Sequence, residues 1–508
     1  MNINVPDATR IGRATGAKAP EFQELYDFDA AALTLTSAVF PYDSQIHRAH
    51  VVMLTEQGIL TVEESATILS GLAQVDELAA TDGSLRTYLP YEAALKRTIG
   101  SVAGKMHIGR SRNDLANAGK RMFLRDQLLR TIEAVIGYRE AVVHKAADHL
   151  DTVMVVYTQR KEAQPITLGH YLMAISENLA KNLDRYRELY ARINLCPLGA
   201  AATAGTGWPL NRDRTSALLG FDGLVVNSIE GVAGWDHVAE HAFVNAVFLS
   251  GLSRLASEIQ LWSTDEYQVA ELDASFAGTS SIMPQKKNPM SLERSRKAAF
   301  AAMGPLVGIL TSLNAIEYQM SAARVELEPR SIDALIAATH AMTGVVRTLH
   351  PNKERMRQYA AENYSTMTDL TDMLVRRVGI DYREAHEIVA HVVITAIEKG
   401  IKANKIGLDL VQEAAVAQTG AGINVSADDI KDALDPWQNV LRREGKGMPA
   451  PMSVKASIDD AMAELHKDRA WLANATQALA NAKQTLADSV QQIIQTDRKY
   501  LRHHHHHH

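Results

Sequence analysis

Hydrophobic residues recur at helical spacing along most of the chain, most clearly between residues 115 and 358. Two such segments lie at 235–262 and 292–318, and they carry Ala, Leu and Met on more than one face, which is typical of helices buried in a bundle. Another stripe, with spacings of three and four, consists of Leu172, Ile175, Leu179, Leu183, Tyr186, Tyr190 and Ile193. The pattern predicts an all-α protein with a long central helix bundle. It also favours oligomerisation, because one bundle cannot cover this much apolar surface.

The segments on either side of this bundle have different patterns. Gly12, Gly16 and Pro20 indicate a poorly ordered beginning, after which short amphipathic helices are predicted at 44–60 and 62–78. Beyond residue 351 the chain is more charged. A small helical domain is predicted there up to about residue 451, followed by a long alanine-rich helix from 458 to about 495.

We therefore divide the chain into three mainly helical domains. They are an N-terminal domain at 1–111, a central helical bundle at 112–362 and a C-terminal helical domain at 363–502. The six histidines at 503–508 are interpreted as a purification tag and are excluded from any metal site.

Composition restricts the classes of function. A chain of 508 residues exceeds what one hydrophobic core usually serves, and its net charge of −6 argues against a nucleic-acid or anionic-membrane partner. The single cysteine, Cys196, excludes an intramolecular disulfide, fits a reducing compartment and is predicted to be a small buried hydrophobe. With neither a leader nor a bilayer-spanning run, the expected location is the cytoplasm. Since metal-ligand spacings and dinucleotide fingerprints are missing, no cofactor is expected.

Reactive side chains are densest at residues 276–289, in the sequence FAGTSSIMPQKKNP. Pro284 and Pro289 limit how far helix extends through this stretch. Ser280 can act there as a nucleophile or a base if its alkoxide is stabilised, and Lys286 or Lys287 with backbone N–H groups is suited to do this. The alternative interpretation is a polar turn with solvated lysines.

Two further segments present polar groups. The first, HIGRSRNDL at 107–115, has two arginines and Asn113 at a predicted helix start, where cations, amides and free N–H groups can bind a carboxylate. The alternative is a helix cap formed by Asn113 or Asp114. The second, CPLGAAATAGTGWPLNR at 196–212, lacks the GKS or GKT ending of a phosphate loop and is interpreted as close-packed backbone.

The stretch at 276–289 resembles the signature of the aspartase/fumarase superfamily, lyases that form fumarate by removing a group β to a carboxylate. Its SSIMPQKKNP form is most similar to the argininosuccinate lyase branch. HIGRSRNDL resembles a second superfamily motif, and VYTQRKEAQPIT at 156–167 resembles a third. The resemblance implies a homotetramer with a shared helical core, in which each active site is built from motifs of three different subunits.

The resemblance also implies roles for individual residues. Ser280 matches the family's base, which removes the β proton to give an enediolate, and the second carboxylate would be held by the motif at 111–113. The implied catalytic residues are Ser280, Lys286, Asn288 and Thr158. The predicted substrate-binding residues are Ser111, Arg112, Asn113, Gln159, Gln164, Ser281, Met283, Tyr318 and Arg324, of which Gln159 and Arg324 depart from the family pattern.

The third motif departs from the family pattern at one position. Gln159 stands where the family has a histidine that pairs with a glutamate, here Glu293, to handle protons near the leaving group. A neutral amide can only orient a substrate, since it does not titrate. An alkylamine, with a pKa near that of lysine at about 10.4, enters already protonated and leaves as a neutral amine without a dedicated acid.

A second departure lies at 317–328, in the sequence EYQMSAARVELE. Tyr318 remains, but the family's glutamine and distal lysine are replaced by Ala323 and Glu326, and Arg324 adds a cation. Arginine suits a carboxylate rather than a guanidinium, which favours a substrate with acid groups at both ends, such as a diamine joined to two succinyl arms. The alternatives are argininosuccinate as the substrate and a catalytically silent homologue.

Overall fold

The computed structural model describes residues 33–506, and the predicted disordered beginning around Gly12 to Pro20 lies outside them. The described chain is mainly helical, as the periodicity predicts. Its α-helices are α1 (Leu33–Glu56), α2 (Val62–Thr81), α3 (Tyr88–Ile99), α4 (Arg112–Ala147), α5 (Leu168–Ile193), α6 (Arg212–Leu218), α7 (Ser228–Ala233), α8 (Asp236–Trp262), α9 (Met290–Asn314), α10 (Pro329–Thr348), α11 (Lys353–Glu362), α12 (Met367–Val378), α13 (Tyr382–Glu398), α14 (Leu408–Thr419), α15 (Ala427–Ala433), α16 (Pro436–Arg442) and α17 (Pro451–His506).

The strands of the described chain are short and pair two by two. They are β1 (Val153–Thr158), β2 (Lys161–Thr167), β3 (Leu195–Cys196), β4 (Gly223–Leu224), β5 (Ala270–Glu271), β6 (Gly278–Thr279), β7 (Lys287–Asn288) and β8 (His350–Pro351). Strands β1 and β2, β5 and β8, and β6 and β7 pair antiparallel, whereas β3 and β4 pair parallel. Two of these pairs, β1–β2 and β6–β7, carry motifs with candidate catalytic residues.

Helices α4, α5, α8, α9 and α10 form the central bundle. Its core contains the fully buried rings of Tyr138, Tyr186, Phe248 and Trp262, and burying large aromatic side chains supplies much of the hydrophobic free energy of such a core. Tyr186 donates a hydrogen bond of 2.8 Å to the amide oxygen of Asn245, so α5 and α8 also share a polar contact. The predicted apolar stripe of α5 is confirmed as a core face.

The directions of these helices follow from contacts at their ends. Arg121, near the start of α4, donates to the carbonyl of Ile193 at the end of α5 and lies 3.2 Å from Nδ1 of His237 at the start of α8. Arg296, near the start of α9, donates to Gln260 at the end of α8 over 2.8 Å. Helices α4 and α8 therefore run parallel, and α5 and α9 run antiparallel to them.

The flanking segments build smaller cores. Helices α2 and α3 share one that includes Leu72 and Tyr91, and α12 to α15 share another that includes Leu374 and Val392. Helix α17 packs across α2, α4 and α5, where Trp471 meets Tyr190 at 5.2 Å between ring centroids. The domain boundaries at 1–111, 112–362 and 363–502 stay predictions.

Two helices are longer than the sequence indicates. Helix α1 begins at Leu33, ahead of the predicted 44, and contains Pro41. Helix α17 extends from Pro451 to His506, so it includes the first histidines of the tag. No helix within residues 33–506 has the length and apolarity needed to cross a membrane.

Candidate active site

The signature stretch at 276–289 forms a small hairpin. Gly278 pairs with Asn288 and Thr279 with Lys287, which leaves residues 280–286 as the connecting loop. Gly278 packs closely on Met290: an added Cβ would lie 2.3 Å from its Cγ, so any larger residue would have to displace this exposed side chain. The prolines do keep helix out of the stretch, and α9 begins directly after the second one.

Ser280 lies at the beginning of this loop and is half-buried. Its Oγ accepts hydrogen bonds from the backbone N–H groups of Ile282, at 3.2 Å, and Met283, at 3.1 Å. Donors aimed at an oxygen stabilise its charged form and lower its pKa. The loop thus supplies part of the alkoxide stabilisation that a serine base requires.

The same loop lines one wall of a cleft of about 600 Å³. Lys286 and Asn288 face it from the hairpin, and the opposite wall is formed by residues 260–266 at the end of α8. The side chains of Ser281, Met283 and Lys286 are exposed. A cation and an amide therefore border one space, which they share with the carboxylates of Asp265, Glu266 and Glu271.

The third motif forms the β1–β2 hairpin. Thr158 pairs with Lys161, and the two residues between them, Gln159 and Arg160, have φ angles of 55° and 59°. Thr158 and Gln159 are exposed at the tip, and Gln164 is exposed further along β2. The position at which the family has its histidine is thus a tight turn that projects the Gln159 side chain into solvent.

This hairpin lies at the same end of the bundle as the signature loop. Tyr157 of β1 packs edge-on against Tyr267, just beyond α8, at 5.9 Å between ring centroids. Burial raises the pKa of Glu258 on α8, and the charge of Arg160 at the hairpin tip opposes this shift. We call this end of the bundle, where α8 ends, the loop end.

The second motif lies at the start of α4. Ser111 is the N-cap: its Oγ accepts from the N–H of Asn113 at 3.2 Å, and its own N–H donates to Asp114 at 3.0 Å. The expectation that Asn113 or Asp114 caps this helix is therefore wrong, because Ser-x-x-Asp forms a capping box with serine as the N-cap. Arg112 is exposed beside the free N–H groups of the first turn, where a carboxylate is favoured.

Tyr318 and Arg324 line a separate cavity of about 320 Å³ near the start of α8. The Tyr318 hydroxyl donates to the carboxylate of Glu230 at 2.5 Å, and this bond raises the pKa of Tyr318 to about 12. Arg324 is 9% exposed, donates to the carbonyl of Val232 at 2.8 Å and lies 4.2 Å from the Trp235 ring centroid. Much of its guanidinium is thus engaged by the protein.

These positions divide the candidate residues between two ends of the bundle. The motif at 111–113, Tyr318 and Arg324 lie at the end where α4 and α8 start, which we call the start end. Residues Thr158, Gln159, Ser280, Lys286 and Asn288 lie at the loop end. The 27 residues of α8 separate the two ends by roughly 40 Å, at 1.5 Å per residue. One chain alone does not bring the candidate residues together.

The described residues offer few other candidate catalytic or metal-binding groups. Residues 33–506 contain no group of three or more His, Cys, Asp or Glu side chains placed to hold a metal. Cys196 is buried, as predicted, and burial raises the pKa of its thiol to about 12, which keeps it protonated. Glu293, which the family pattern pairs with a histidine, is exposed in the first turn of α9.

Solved structures share this fold. A fumarate lyase from Mesorhizobium sp. BNC1 superposes with a TM-score of 0.66 over 84% of this chain and 95% of that one, at 17% identity. A class II fumarase from Schistosoma mansoni gives a TM-score of 0.64 over 84% and 98%, at 16% identity. At this identity the likeness concerns the fold, and it confirms the prediction of an all-α architecture.

Sequence relatives are more specific. Residues 59–304 match a family model described as lyase, and residues 364–441 match one described as argininosuccinate lyase C-terminal. The argininosuccinate lyase of Methanosarcina acetivorans is 36% identical over 457 residues, covering 89% of this chain and 92% of that one. That of Methanothermobacter thermautotrophicus is 33% identical over 468 residues, covering 91% and 99%. The chain therefore belongs to the argininosuccinate lyase branch of the aspartase/fumarase superfamily.

Proposed function

We propose that the protein is a carbon–nitrogen lyase that reversibly eliminates fumarate from an N-substituted L-aspartate. The observation that carries this proposal is the pair of backbone N–H groups, from Ile282 and Met283, that point at Oγ of Ser280. A serine held in this way, in the same hairpin as Lys286 and Asn288, is suited to remove a proton α to a carboxylate. Membership in a lyase family supports the same reaction class.

In the proposed reaction, Ser280 removes the β proton and the electrons delocalise into the adjacent carboxylate as a doubly charged enediolate. Thr158, Asn288, Lys286 and the backbone at 281–283 stabilise this charge. The carbon–nitrogen bond then breaks, and the amine leaves together with its electron pair. No external oxidant or reductant is required.

The motif at 111–113 would hold the second carboxylate of the substrate. Since this motif lies at the start end, we propose that it comes from another subunit of a homotetramer and meets the loop end of its neighbour. An apolar stripe on α9 supports self-association, because Phe300, Met303, Val307 and Leu310 are all exposed at helical spacing. We place the assembled enzyme in the cytoplasm.

For the amine, we propose ethylenediamine-N,N'-disuccinate, which yields N-(2-aminoethyl)aspartate and then ethylenediamine, with one fumarate released at each step. Two features support it. Gln159 supplies no proton at the leaving group, which a protonated alkylamine does not need. Arg324 lines the cavity at the start end, and its five N–H donors exceed the two that bond to Val232 and Met320, which leaves donors for a distal carboxylate.

A second candidate substrate is argininosuccinate. Both relatives compared above carry the name argininosuccinate lyase. Glu230, Asp236 and Glu317 line the same cavity as Arg324, and carboxylates are the natural partners of a guanidinium. The third possibility, a catalytically silent homologue, is disfavoured by the intact Ser280, Lys286 and Asn288.

The test is release of fumarate, followed by its ultraviolet absorbance, with the disuccinate and argininosuccinate assayed side by side. The proposal expects turnover of the disuccinate at a kcat/KM at least about tenfold above that of argininosuccinate, which corresponds to about 1.4 kcal/mol of transition-state discrimination. The reverse ranking would assign the second candidate. Absence of turnover with either compound would support the silent homologue.

The role of Ser280 is tested by Ser280→Ala in the same assay. Loss of an essential base should lower kcat at least about a thousandfold, while the circular dichroism spectrum and the oligomeric state stay unchanged. Ser275→Ala is the matched control, since this exposed hydroxyl just before the stretch at 276–289 donates to Asp273 and is assigned no role in the reaction. If Ser280→Ala keeps more than a tenth of the wild-type kcat, Ser280 is not the base.

A further inference from the structure

Asp114 connects two segments that are far apart in sequence. It is completely buried, and its Oδ1 accepts the N–H of Ser111 at 3.0 Å within the capping box of α4. Its Oδ2 accepts the N–H of Gly199 at 3.2 Å and that of Ala201 at 2.9 Å. One carboxylate thus ties the start of α4 to the loop at 199–206, which the sequence predicts only as close-packed backbone.

That loop has a strained backbone. Ala201 and Thr203 have φ angles of 49° and 82°, and a positive φ is a genuine outlier for a β-branched residue such as threonine. Non-glycine residues keep such conformations only where surrounding contacts fix them. Two of these contacts are the hydrogen bonds that the N–H groups of Gly199 and Ala201 donate to Asp114. A third is the hydrogen bond of 2.7 Å that the Ser228 hydroxyl donates to the carbonyl of Thr203.

The beginning of the loop also packs closely against Arg212. Gly199 has a φ of 97°, and a Cβ on it would lie 2.5 Å from Cγ of Arg212. Nε of Arg212 in turn donates to the carbonyl of Leu198 at 2.7 Å. The beginning of the loop is therefore held on one side by Arg212 and on the other by Asp114.

We infer that Asp114 is a positioning residue, which holds the 199–206 loop and the substrate-binding motif at 111–113 in one fixed arrangement for carboxylate binding. This inference rests on the proposed function, since it takes the 111–113 motif as the carboxylate site. Because Asp114 is buried behind the motif, it acts through Ser111 and the loop rather than by touching the substrate.

The test is Asp114→Asn in the full-length oligomer. If the asparagine oxygen still accepts the N–H of Ser111, its NH₂ group points at the N–H groups of Gly199 and Ala201. Both sides of that contact are then donors, so the two hydrogen bonds to the loop are lost. We expect the Kd for fumarate and the KM for the substrate to rise at least about tenfold, with kcat changed less than threefold. Hydrogen exchange at 199–206 should become faster.

Asp429→Asn is the matched control. Asp429 occupies the same position in the capping box of α15, where its side chain accepts the N–H of Ser426 at 3.0 Å. Its other contact is an ion pair of 3.5 Å with Arg377 of α12 rather than a bond to a distant loop, so its loss reports on helix capping and on this pair. This variant should leave the Kd for fumarate and the KM unchanged.

A rescue variant separates positioning from general destabilisation. Glycine adopts positive φ without strain, so adding Ala201→Gly to Asp114→Asn should recover at least threefold of the lost fumarate affinity. If Asp114→Asn does not fold, Ser228→Ala releases the other side of the same loop and should weaken fumarate binding about threefold.

Three results would overturn the inference. They are wild-type fumarate affinity in Asp114→Asn, unchanged hydrogen exchange at 199–206, and a double variant no better than the single one. Failure of the proposed function gives a different result from failure of this inference. If the proposed function is wrong, the wild-type protein neither binds nor forms fumarate. Hydrogen exchange at 199–206 would still be faster in Asp114→Asn.

Discussion

Arg324 contacts protein groups on one side and borders a cavity on the other. Its guanidinium packs on Trp235 and donates to the carbonyl of Val232, yet it also borders the cavity that Tyr318 lines. Burial lowers its pKa, although the charge of Glu326 opposes the shift. An arginine held in this way would lose little side-chain freedom on binding the proposed distal carboxylate.

Arg324→Ala should therefore raise the KM for the disuccinate and lower its kcat/KM about ten- to a hundredfold, the value of a charge-assisted bidentate contact. Fumarate addition to small amines without a distal acid should hardly change. Arg324→Lys should restore part of the loss, since lysine lacks the planar fork. Arg330→Ala, which removes an exposed arginine at the start of α10, is the control. Equal loss in both reactions would make Arg324 structural.

Asp43 of α1 is a carboxylate whose Oδ1 is buried without a hydrogen-bond partner among the described residues. Burial raises its pKa to about 7, while the charges of Arg110 and Lys120 oppose the shift. A carboxyl whose pKa is higher in the folded than in the unfolded state stabilises the fold when protonated. That contribution is present below the unfolded pKa of about 4 and is lost as pH rises through about 7.

Asp43→Asn should consequently be more stable than the wild type at pH 8, on the order of 1 to 3 kcal/mol, with the difference vanishing near pH 4. Urea unfolding across this pH range measures it. Asp213→Asn, which changes an exposed aspartate of α6, should show no such trend. A stability difference for Asp43→Asn that is the same at pH 4 and pH 8 would contradict the assigned pKa.

At the scale of elements, the long helices were predictable because their apolar positions repeat with the helical period. Segments predicted at 235–262 and 62–78 correspond to α8 and α2 within a few residues. The β1–β2 hairpin was not predicted. Its turn is made by Gln159 and Arg160, both with positive φ, and lacks the glycine or asparagine that usually marks such a turn.

The signature hairpin was missed for a different reason. Its strands have two residues each, and pairs this short carry no detectable periodicity. The chemistry of the stretch was still visible, because Ser280, Lys286 and Asn288 are unusual in combination. The sequence indicated backbone N–H groups as donors to the serine, but it did not show that those of Ile282 and Met283 supply them. The Ser-x-x-Asp signal at 111–114, by contrast, was present and indicates a capping box.

The whole molecule presents its candidate chemistry at two places. The motif at 111–113 and Arg324 lie at the start end, and Ser280 with its N–H donors lies at the loop end, with α8 between them. Neither half suffices for the proposed reaction. An antiparallel arrangement of neighbouring bundles along the exposed α9 stripe would bring a start end of one subunit to the loop end of another.

This arrangement predicts complementation between inactive variants. Arg112→Ala and Ser280→Ala, unfolded and refolded together in equal amounts, should recover activity in about a quarter of the sites of mixed oligomers. Half of the sites draw the 111–113 motif from a Ser280→Ala chain, and half of those draw the signature loop from an Arg112→Ala chain. The fumarate absorbance assay measures the recovery.

The control mixes Ser280→Ala with Lys286→Ala. Both changes lie in the signature loop, so each site receives a defective loop whichever chain supplies it, and no activity should return. Size-exclusion chromatography with differently tagged chains verifies that mixed oligomers have formed. If these oligomers form in both mixtures and neither regains activity, the site is not shared between subunits. In that case the two ends of one chain would need to approach each other by a rearrangement of the bundle, at the expense of the buried core that α4, α5 and α8 share.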